Sequence, residues 1–209
     1  MRNRSENQIK LFLIRHGATA SNAEHRYLGK TDEVLSEEGK RQLQEAQAAK
    51  RYPQVQMLFS SPMKRCLESA KILYPGMEPV VIGDWCETDF GDFEGKNYKE
   101  LQKDAQYQAW IDSNGSLPFP NGESRETFIA RCKAGLNRML EHLQEMPDEK
   151  DKMFTVGAIV HGGTIMALLS SYGNGTYFDY QVPNGGGYQC CLSFEGEEIR
   201  ITDIHMLGE

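Results

Sequence analysis

Two histidines and two arginines occur where a short apolar run of this sequence gives way to polar residues. Arg15 and His16 directly follow the first apolar run of the chain, and His161 follows a longer run that ends at residue 160. Arg65 lies a few residues after a third run. A neutral imidazole is a competent nucleophile at neutral pH, and a guanidinium matches the oxygens of an anion with parallel donors. These residue types suit a site that binds an anion and attacks it with a histidine.

An acidic segment, 84–94, supplies carboxyl groups for proton transfer close to a fourth apolar run. Its acidic residues are Asp84, Glu87, Asp89, Asp92 and Glu94. A carboxyl that donates a proton near pH 7 needs a raised pKa, and neighbouring negative charges act in that direction. The segment therefore predicts a general acid, although its composition does not say which carboxyl serves.

Alternating strand-like and helix-like segments position these residues. Strands are predicted at 10–14, 56–59, 79–82, 153–160, 188–194 and 198–206. Helices are predicted at 36–51, from Pro62 behind a Ser61 cap, at 96–111, at 123–146 and after His161. This alternation predicts an α/β fold, a three-layer α/β/α sandwich with a mostly parallel sheet. Because the carboxyl ends of parallel strands share one edge of a sheet, we expect the polar clusters that follow the strands to meet there.

The whole chain, 1–209, is interpreted as a single domain in which 96–122 forms a small cap or substrate-specificity insertion. The aromatic residues in or near this segment have two open interpretations, because they could face an organic ring or pack the cap. They are Tyr27, Tyr98, Tyr107 and Trp110. For any single one of them, packing is slightly favoured.

The charge and hydropathy of the chain narrow the classes of partner. The 209 residues include 23 Lys plus Arg and 30 Asp plus Glu, which gives a formal net charge of −7. Binding along a nucleic acid needs a basic face, so we expect no nucleic acid partner. No apolar run reaches the roughly 20 residues of a membrane span, and residues 1–10 do not resemble a signal peptide. We therefore expect no membrane partner and a cytoplasmic location.

The five cysteines predict neither a disulfide framework nor a zinc site, because their number is odd and no two of them form a CxxC pair. The oligomeric state stays open. The strand at 198–206 could pair with a second copy as a sheet edge and so form a homodimer, or could be an ordinary sheet member.

The motif Arg15-His16-Gly17-x-Thr19-x-x-Asn22, with a later strand ending in His161-Gly162, resembles the histidine phosphatase superfamily, also called phosphoglycerate mutase-like. The resemblance continues in the family's order through LSEEGKRQ, SSPMKRC, ETDFGDFEG and IVHGGT, and it covers nearly the whole chain. It implies a phosphoglycerate mutase-like fold. It also implies reaction through a phosphohistidine on a small-molecule phosphate ester, with no metal and no cofactor.

The resemblance also implies roles for individual residues. His16 would be the nucleophile, and Glu87 would be the general acid and later the base for water, with Asp89 kept as an alternative carboxyl. Arg15, Arg65 and His161 would act on the transferring phosphoryl group. The residues expected to bind phosphate or substrate are Arg15, Asn22, Gly29, Arg65, His161 and Gly162.

The family contains phosphatases, mutases and degenerate members that only bind a phospholigand. The mutases have a longer insertion where this chain has only 96–121, and they carry Ser or Thr where Leu28 precedes Gly29. Both differences favour hydrolysis, and the intact catalytic set favours an enzyme over a binding module. The segments YLGKTDEVLSEEG, ETDFGDFEG and FPNGES resemble the α-ribazole phosphatases of cobalamin assembly, while similar segments occur in broad-specificity sugar-phosphate phosphatases.

Overall fold

A computed structural model describes residues 7–144, 153–195 and 198–208 of the chain. Its centre is one six-stranded sheet of strand order β3-β2-β4-β1-β5-β6. The strands are β1 Asn7–Arg15, β2 Met57–Ser60, β3 Val80–Val81, β4 Phe154–Val160, β5 Gly187–Glu195 and β6 Glu198–Met206. Strands β3, β2, β4 and β1 run parallel, whereas β5 and β6 are added antiparallel beyond β1. The mixed sheet confirms the predicted α/β fold.

Seven α-helices accompany the sheet in the described part of the chain. They are α1 Ala20–Ala23, α2 Glu37–Ala48, α3 Lys64–Leu73, α4 Tyr98–Leu101, α5 Ala105–Asp112, α6 Arg125–Gln144 and α7 Gly162–Tyr172. Three short 3-10 helices lie at Gly83–Trp85, Gly91–Phe93 and Tyr177–Tyr180. Within the described ranges, no helix is long and apolar enough to cross a membrane.

The two faces of the sheet are covered by different helices because side chains alternate along each strand. Leu11 and Leu13 of β1 belong to a core formed with α6 and α7, whereas Phe12 and Ile14 belong to a core formed with α2 and α3. The resulting order is helices, sheet, helices. The predicted three-layer sandwich is therefore confirmed.

Two helix predictions need correction. The helix expected to begin at Pro62 begins at Lys64, because the backbone of Met63 is extended and the Lys64 N–H donates to Asp32 Oδ1 at 2.7 Å. The single helix expected at 96–111 is two helices. The Asp104 side chain accepts hydrogen bonds from the backbone N–H groups of Gln106 and Tyr107, so a new helix begins there.

Other boundaries differ by a few residues. Strand β3 is only two residues long inside the predicted 79–82, and α6 begins at Arg125 inside the predicted 123–146. The predicted end of that helix, 145–146, lies outside the described residues. The segment predicted to be a cap packs a separate small aromatic cluster around Phe93, Leu101 and Tyr107, beside the opening of the site described next.

Candidate active site

The carboxyl ends of β1 and β4 bring the two histidines together. In the parallel register Arg15 lies opposite Val160, so the next residues, His16 and His161, are neighbours across the sheet edge. Their rings lie 5.2 Å apart, centroid to centroid, at an interplanar angle of 67°. The predicted meeting of the histidine clusters at one sheet edge is therefore observed.

The environment of His16 keeps its imidazole neutral and sets its tautomer. Its Nδ1 lies 2.7 Å from the carbonyl oxygen of Gly17. Because a carbonyl oxygen only accepts, Nδ1 carries the proton, and the lone pair on Nε2 is left for attack. Burial of the ring and the nearby charge of Arg65 lower the pKa of His16 to about 3.

His161 lies fully buried at the N-cap of α7. Its Nε2 is 2.8 Å from the hydroxyl oxygen of Ser61, which follows β2. Burial, and then the neighbouring His16, lower the pKa of His161 well below its ordinary value. The segment after β2 thus adds a hydroxyl partner that holds the second histidine, whereas the sequence pattern predicted Ser61 only as a helix cap.

Arg15 and Arg65 bring positive charge to the site and are held there by backbone carbonyl oxygens. Arg65 is fully buried in the first turn of α3 and donates to the carbonyl oxygens of Thr31 and Gly29, both at 2.9 Å. Arg15 donates to the carbonyl of Val182 at 2.7 Å. Among the described residues, neither guanidinium has a carboxylate within salt-bridge distance, and the Nε of each is buried without a partner. Since a buried, unpaired charge is costly, this arrangement is suited to an anion that supplies the missing negative charge.

Glu87 reaches the same place from the loop after β3. Its Oε1 accepts from the backbone N–H of Thr88 at 2.9 Å, and its Oε2 faces the backbone N–H of Gly163 at 3.4 Å. A Cβ atom on Gly163 would lie only 2.4 Å from Glu87 Oε1. Glycine at that position therefore allows the carboxylate to approach the N-terminus of α7.

The other carboxyls of the acidic segment are engaged elsewhere. Asp89 bonds Lys30 at 2.7 Å, and Asp84 lies 2.6 Å from Arg138. Burial acts to raise the pKa of Asp89, but the hydrogen bonds from Lys30 and from the Gly91 amide outweigh it, so the pKa is lowered. These contacts disfavour Asp89 as the alternative acid and leave Glu87 as the carboxyl beside α7.

Gly29 has a different role from the expected phosphate contact. Its amide N–H donates to Glu94 Oε1 at 2.8 Å, and its carbonyl accepts from Arg65. A Cβ atom on Gly29 would lie 1.9 Å from the carbonyl oxygen of Thr88. Its amide is thus already used, and the residue helps to hold Arg65 at a place where two loops meet closely.

Asn22 is oriented by its neighbours. Its Oδ1 accepts from the backbone N–H of Thr19 at 3.2 Å and from Nδ2 of Asn184 at 3.0 Å, which leaves its own amide N–H groups to donate. Asn184 also donates to the carbonyls of His16 and Gly17 at 3.2 and 3.4 Å. The sequence analysis missed Asn184, whose only signal is its place in the glycine-rich turn before β5.

A cavity of roughly 600 Å³ adjoins the site at Arg15 and Glu87, whereas His16, Arg65 and His161 are not among its lining residues. Arg15, Glu87 and Gly162 line its polar part. Its aromatic lining consists of Tyr27, Phe90, Trp110, Phe119, Phe128, Tyr177 and Phe178. Among the described residues, no group of three His, Cys, Asp or Glu side chains is arranged to hold a metal ion.

Of the four aromatic residues singled out from the sequence, two line the cavity and two do not. Tyr27 and Trp110 line it, while Tyr107 packs behind them, with its ring stacked 6.2 Å from that of Trp110. Tyr98 is 55% exposed on the surface. The lining residues Tyr177 and Phe178 come from a 3-10 helix far along the chain and were missed.

Comparison with known proteins agrees with this fold and site. The profile of the histidine phosphatase superfamily (branch 1) matches residues 11–204. An uncharacterized phosphatase, PhoE, of Bacillus subtilis strain 168 is 31% identical over 199 residues, which cover 93% of each chain. The chain therefore belongs to the histidine phosphatase superfamily. Members of this family that are named phosphatases support its assignment as a phosphatase that acts through a histidine.

Two solved structures share the fold. The α-ribazole phosphatase from Shigella flexneri superposes with a TM-score of 0.74 at 21% identity, covering 96% of each chain. The mycobacterial glucosyl-3-phosphoglycerate phosphatase superposes with a TM-score of 0.76 at 24% identity, covering 95% of this chain and 98% of the other. At 21% and 24% identity, these two structures show only that the fold is shared.

Proposed function

We propose that this chain hydrolyses a small phosphomonoester through a phosphohistidine and without a metal ion. The observation that carries the proposal is the neutral imidazole of His16, whose Nε2 lone pair is free beside two guanidinium groups that lack a carboxylate partner. Such a site holds a phosphoryl group by hydrogen bonds and charge and presents a nucleophile to it. The positive charge that a metal ion would supply comes from Arg15 and Arg65.

The reaction takes two steps. In the first, Nε2 of His16 attacks phosphorus, the bond to the ester oxygen breaks, and Glu87 transfers its proton to that oxygen. In the second, water attacks the phosphohistidine, the nitrogen–phosphorus bond breaks, and Glu87 takes the proton from the water. His161 and Asn22 donate hydrogen bonds to the phosphoryl oxygens in both steps.

The test of this mechanism combines rapid quenching with a matched pair of histidine variants. The wild-type chain should form an acid-labile phosphoenzyme and turn over equally with and without EDTA. His16→Ala should form no phosphoenzyme and should not turn over. His205→Ala, which changes an exposed residue of β6, should form the phosphoenzyme and turn over as the wild type does. Full turnover by His16→Ala would overturn the mechanism.

For the substrate, we propose α-ribazole 5′-phosphate or a closely similar ester with an aromatic base. The aromatic lining of the cavity supports this choice, because flat rings stack on such walls. Likeness to the Shigella α-ribazole phosphatase supports it further. The product would then serve the nucleotide-loop assembly of cobalamin.

The second candidate is a broad-specificity sugar-phosphate phosphatase, favoured by the likeness to the mycobacterial glucosyl-3-phosphoglycerate phosphatase. The two are separated by kcat/KM on α-ribazole phosphate, sugar phosphates and phosphoglycerate. Equal, slow rates on all three would contradict the aromatic substrate. A mutase ranks below both. It would be established if the chain, primed with a bisphosphate, interconverted phosphoglycerates faster than it released phosphate. A non-catalytic binding module ranks last.

Location and assembly are also proposed. All five cysteines are free thiols, which supports a reducing compartment such as the cytoplasm. The edge position of β6 in the sheet leaves room for a homodimer paired through that strand. Light scattering of the purified chain, compared with a Thr202→Pro variant, tests this pairing.

A further inference from the structure

The segment that carries Glu87 has little regular structure to hold it. It leaves the two-residue strand β3, passes through the 3-10 helix Gly83–Trp85, and then continues as an irregular loop up to the next 3-10 helix. Within the described residues, the carboxylate of Glu87 accepts hydrogen bonds only from the neighbouring Thr88 and, at 3.4 Å, from the backbone N–H of Gly163. Some other group must fix the backbone of this loop, because a proton donor works only within hydrogen-bond reach of the leaving oxygen.

That group is the guanidinium of Arg131 on α6. Its Nη1 donates to the carbonyl oxygens of Asp84 and Cys86, both at 2.8 Å, and its Nη2 faces the carbonyl of Glu87 at 3.4 Å. One side chain thus holds three carbonyls within a stretch of four residues. The planar, rigid geometry of arginine suits it to such a set of acceptors.

Glu123, two residues before the start of α6, holds the guanidinium of Arg131 in turn. Its two carboxylate oxygens bind Nε and Nη2 of Arg131 at 3.1 and 2.7 Å. Its backbone N–H donates to the carbonyl of Asp89 at 2.9 Å. The side chains of Glu123 and Arg131 are only 15% and 26% exposed, so this pair is better shielded than a surface ion pair.

We propose that Arg131 and Glu123 form a positioning pair that holds Glu87 where it protonates the leaving group. The proposal rests on the proposed function, since it concerns the acid step of that reaction. Neither residue lines the cavity, so the pair should affect the reaction when the departing oxygen needs a proton and affect it little when that oxygen does not.

The test compares leaving groups of different basicity. An alkyl phosphate releases a strongly basic alkoxide that needs protonation, whereas p-nitrophenyl phosphate releases a stabilised phenolate. The quantity measured is kcat/KM, which reports steps only up to departure of the leaving group and so excludes the later attack of water. General acid catalysis contributes about 10²–10⁴-fold, so displacement of the acid should be visible on the alkyl substrate alone.

We expect Arg131→Met to lower kcat/KM about 30-fold on the alkyl phosphate, which is less than the full contribution of the acid. On p-nitrophenyl phosphate, we expect kcat/KM to fall less than about 3-fold. Glu123→Gln should show the same selectivity with a smaller loss, because Arg131 keeps its carbonyl contacts. Adding Arg131→Met to Glu87→Gln should cost little more, since the positioned acid is already absent.

The matched control is Arg138→Met. Arg138 lies on the same helix and binds the side chain of Asp84, but its own side chain is 63% exposed. It should resemble the wild type on both substrates. Equal losses on both substrates for Arg131→Met and Glu123→Gln, or no loss on the alkyl substrate, would overturn the positioning role. If Glu87→Gln itself lacks the leaving-group selectivity, the acid role of Glu87 fails instead. If Arg131→Met does not fold, Glu123→Gln and Arg131→Lys decide by the same ratio.

Discussion

His16, the proposed nucleophile, needs a free nitrogen lone pair to attack phosphorus, and its surroundings keep the ring neutral. Burial and the charge of Arg65 hold its pKa at about 3, so the ring stays neutral throughout the physiological range. The unfolded chain has no such constraint, and there a histidine titrates near 6.5. The protonation of the nucleophile is therefore linked to the stability of the fold.

The sign of this linkage follows from which state binds the proton first. As the pH falls through 6.5, the unfolded chain binds a proton at His16 and the folded chain does not, so the stability contribution is complete above 6.5 and is lost toward pH 3. We expect the free energy of unfolding to fall by about 2 kcal/mol for His16 between pH 7.5 and 5. Urea titrations in phosphate-free buffer measure it.

The matched variant for this prediction is His16→Gln, which removes the titrating ring but keeps a polar side chain. Its free energy of unfolding should decline less over the same pH interval. A decline as steep as that of the wild type would show that groups other than His16 govern the acid sensitivity.

At the scale of elements, one contact at the rim of the cavity joins the segment 96–122 to a distant part of the cavity wall. Arg125, at the start of α6, donates through Nη2 to the carbonyls of Asn114 and Gly115 at 2.8 and 2.7 Å. Its guanidinium carbon also lies 5.1 and 5.0 Å from the ring centroids of Tyr177 and Phe178. One arginine therefore joins the end of the cap to the aromatic wall across the opening.

Replacing Arg125 by alanine should loosen this rim while leaving the phosphoryl site intact. We expect KM for the aromatic substrate to rise about 5- to 20-fold, corresponding to loss of about 1–2 kcal/mol of binding, with kcat changed less than threefold. Limited proteolysis should also cut more readily within 113–117. Steady-state kinetics and peptide mapping provide the measurements.

Lys133→Ala is the matched control, because Lys133 lies on the same helix and packs over Tyr172, which does not line the cavity. It should leave KM unchanged. An unchanged KM in Arg125→Ala as well would mean that the rim contact does not contribute to substrate binding.

At the scale of the whole molecule, an acidic chain carries a cationic pocket. The net charge of −7 belongs to the complete sequence, whereas Arg15, which lines the cavity, and the fully buried Arg65 concentrate positive charge in one site. Because desolvated charges without partners are costly, an anion should bind this site in the folded chain and stabilise the fold by mass action.

We expect inorganic phosphate, at about 100 times its dissociation constant, to raise the free energy of unfolding by about 2.7 kcal/mol, and differential scanning calorimetry should show the higher Tm. Arg65→Met should abolish most of this shift because the buried guanidinium is gone. The control Arg41→Met removes an arginine that is 57% exposed and should leave the shift intact. Equal phosphate shifts in all three proteins would contradict the role of Arg65.

Much of the fold could be predicted from the sequence because strand and helix patterns are local. Alternating apolar runs and amphipathic segments specified the three layers, and the parallel-strand rule by itself placed His16 and His161 at one sheet edge. Both signals depend on residues that are near one another in the chain. The boundaries were less well determined where one polar side chain decided them, as Asp104 does by starting α5.

What only the tertiary structure decided is which distant side chains meet. The Ser61 hydroxyl reaches His161 across 100 positions, the Arg15 guanidinium reaches Val182 across 167, and Arg131 binds the Glu87 loop from 44 or more residues away. The sequence by itself determined which polar residues stand at the strand ends, because the ends of strands follow from local hydrophobic patterns. It did not determine the partners that hold those residues, because hydrogen-bond distances depend on how separate elements pack in three dimensions.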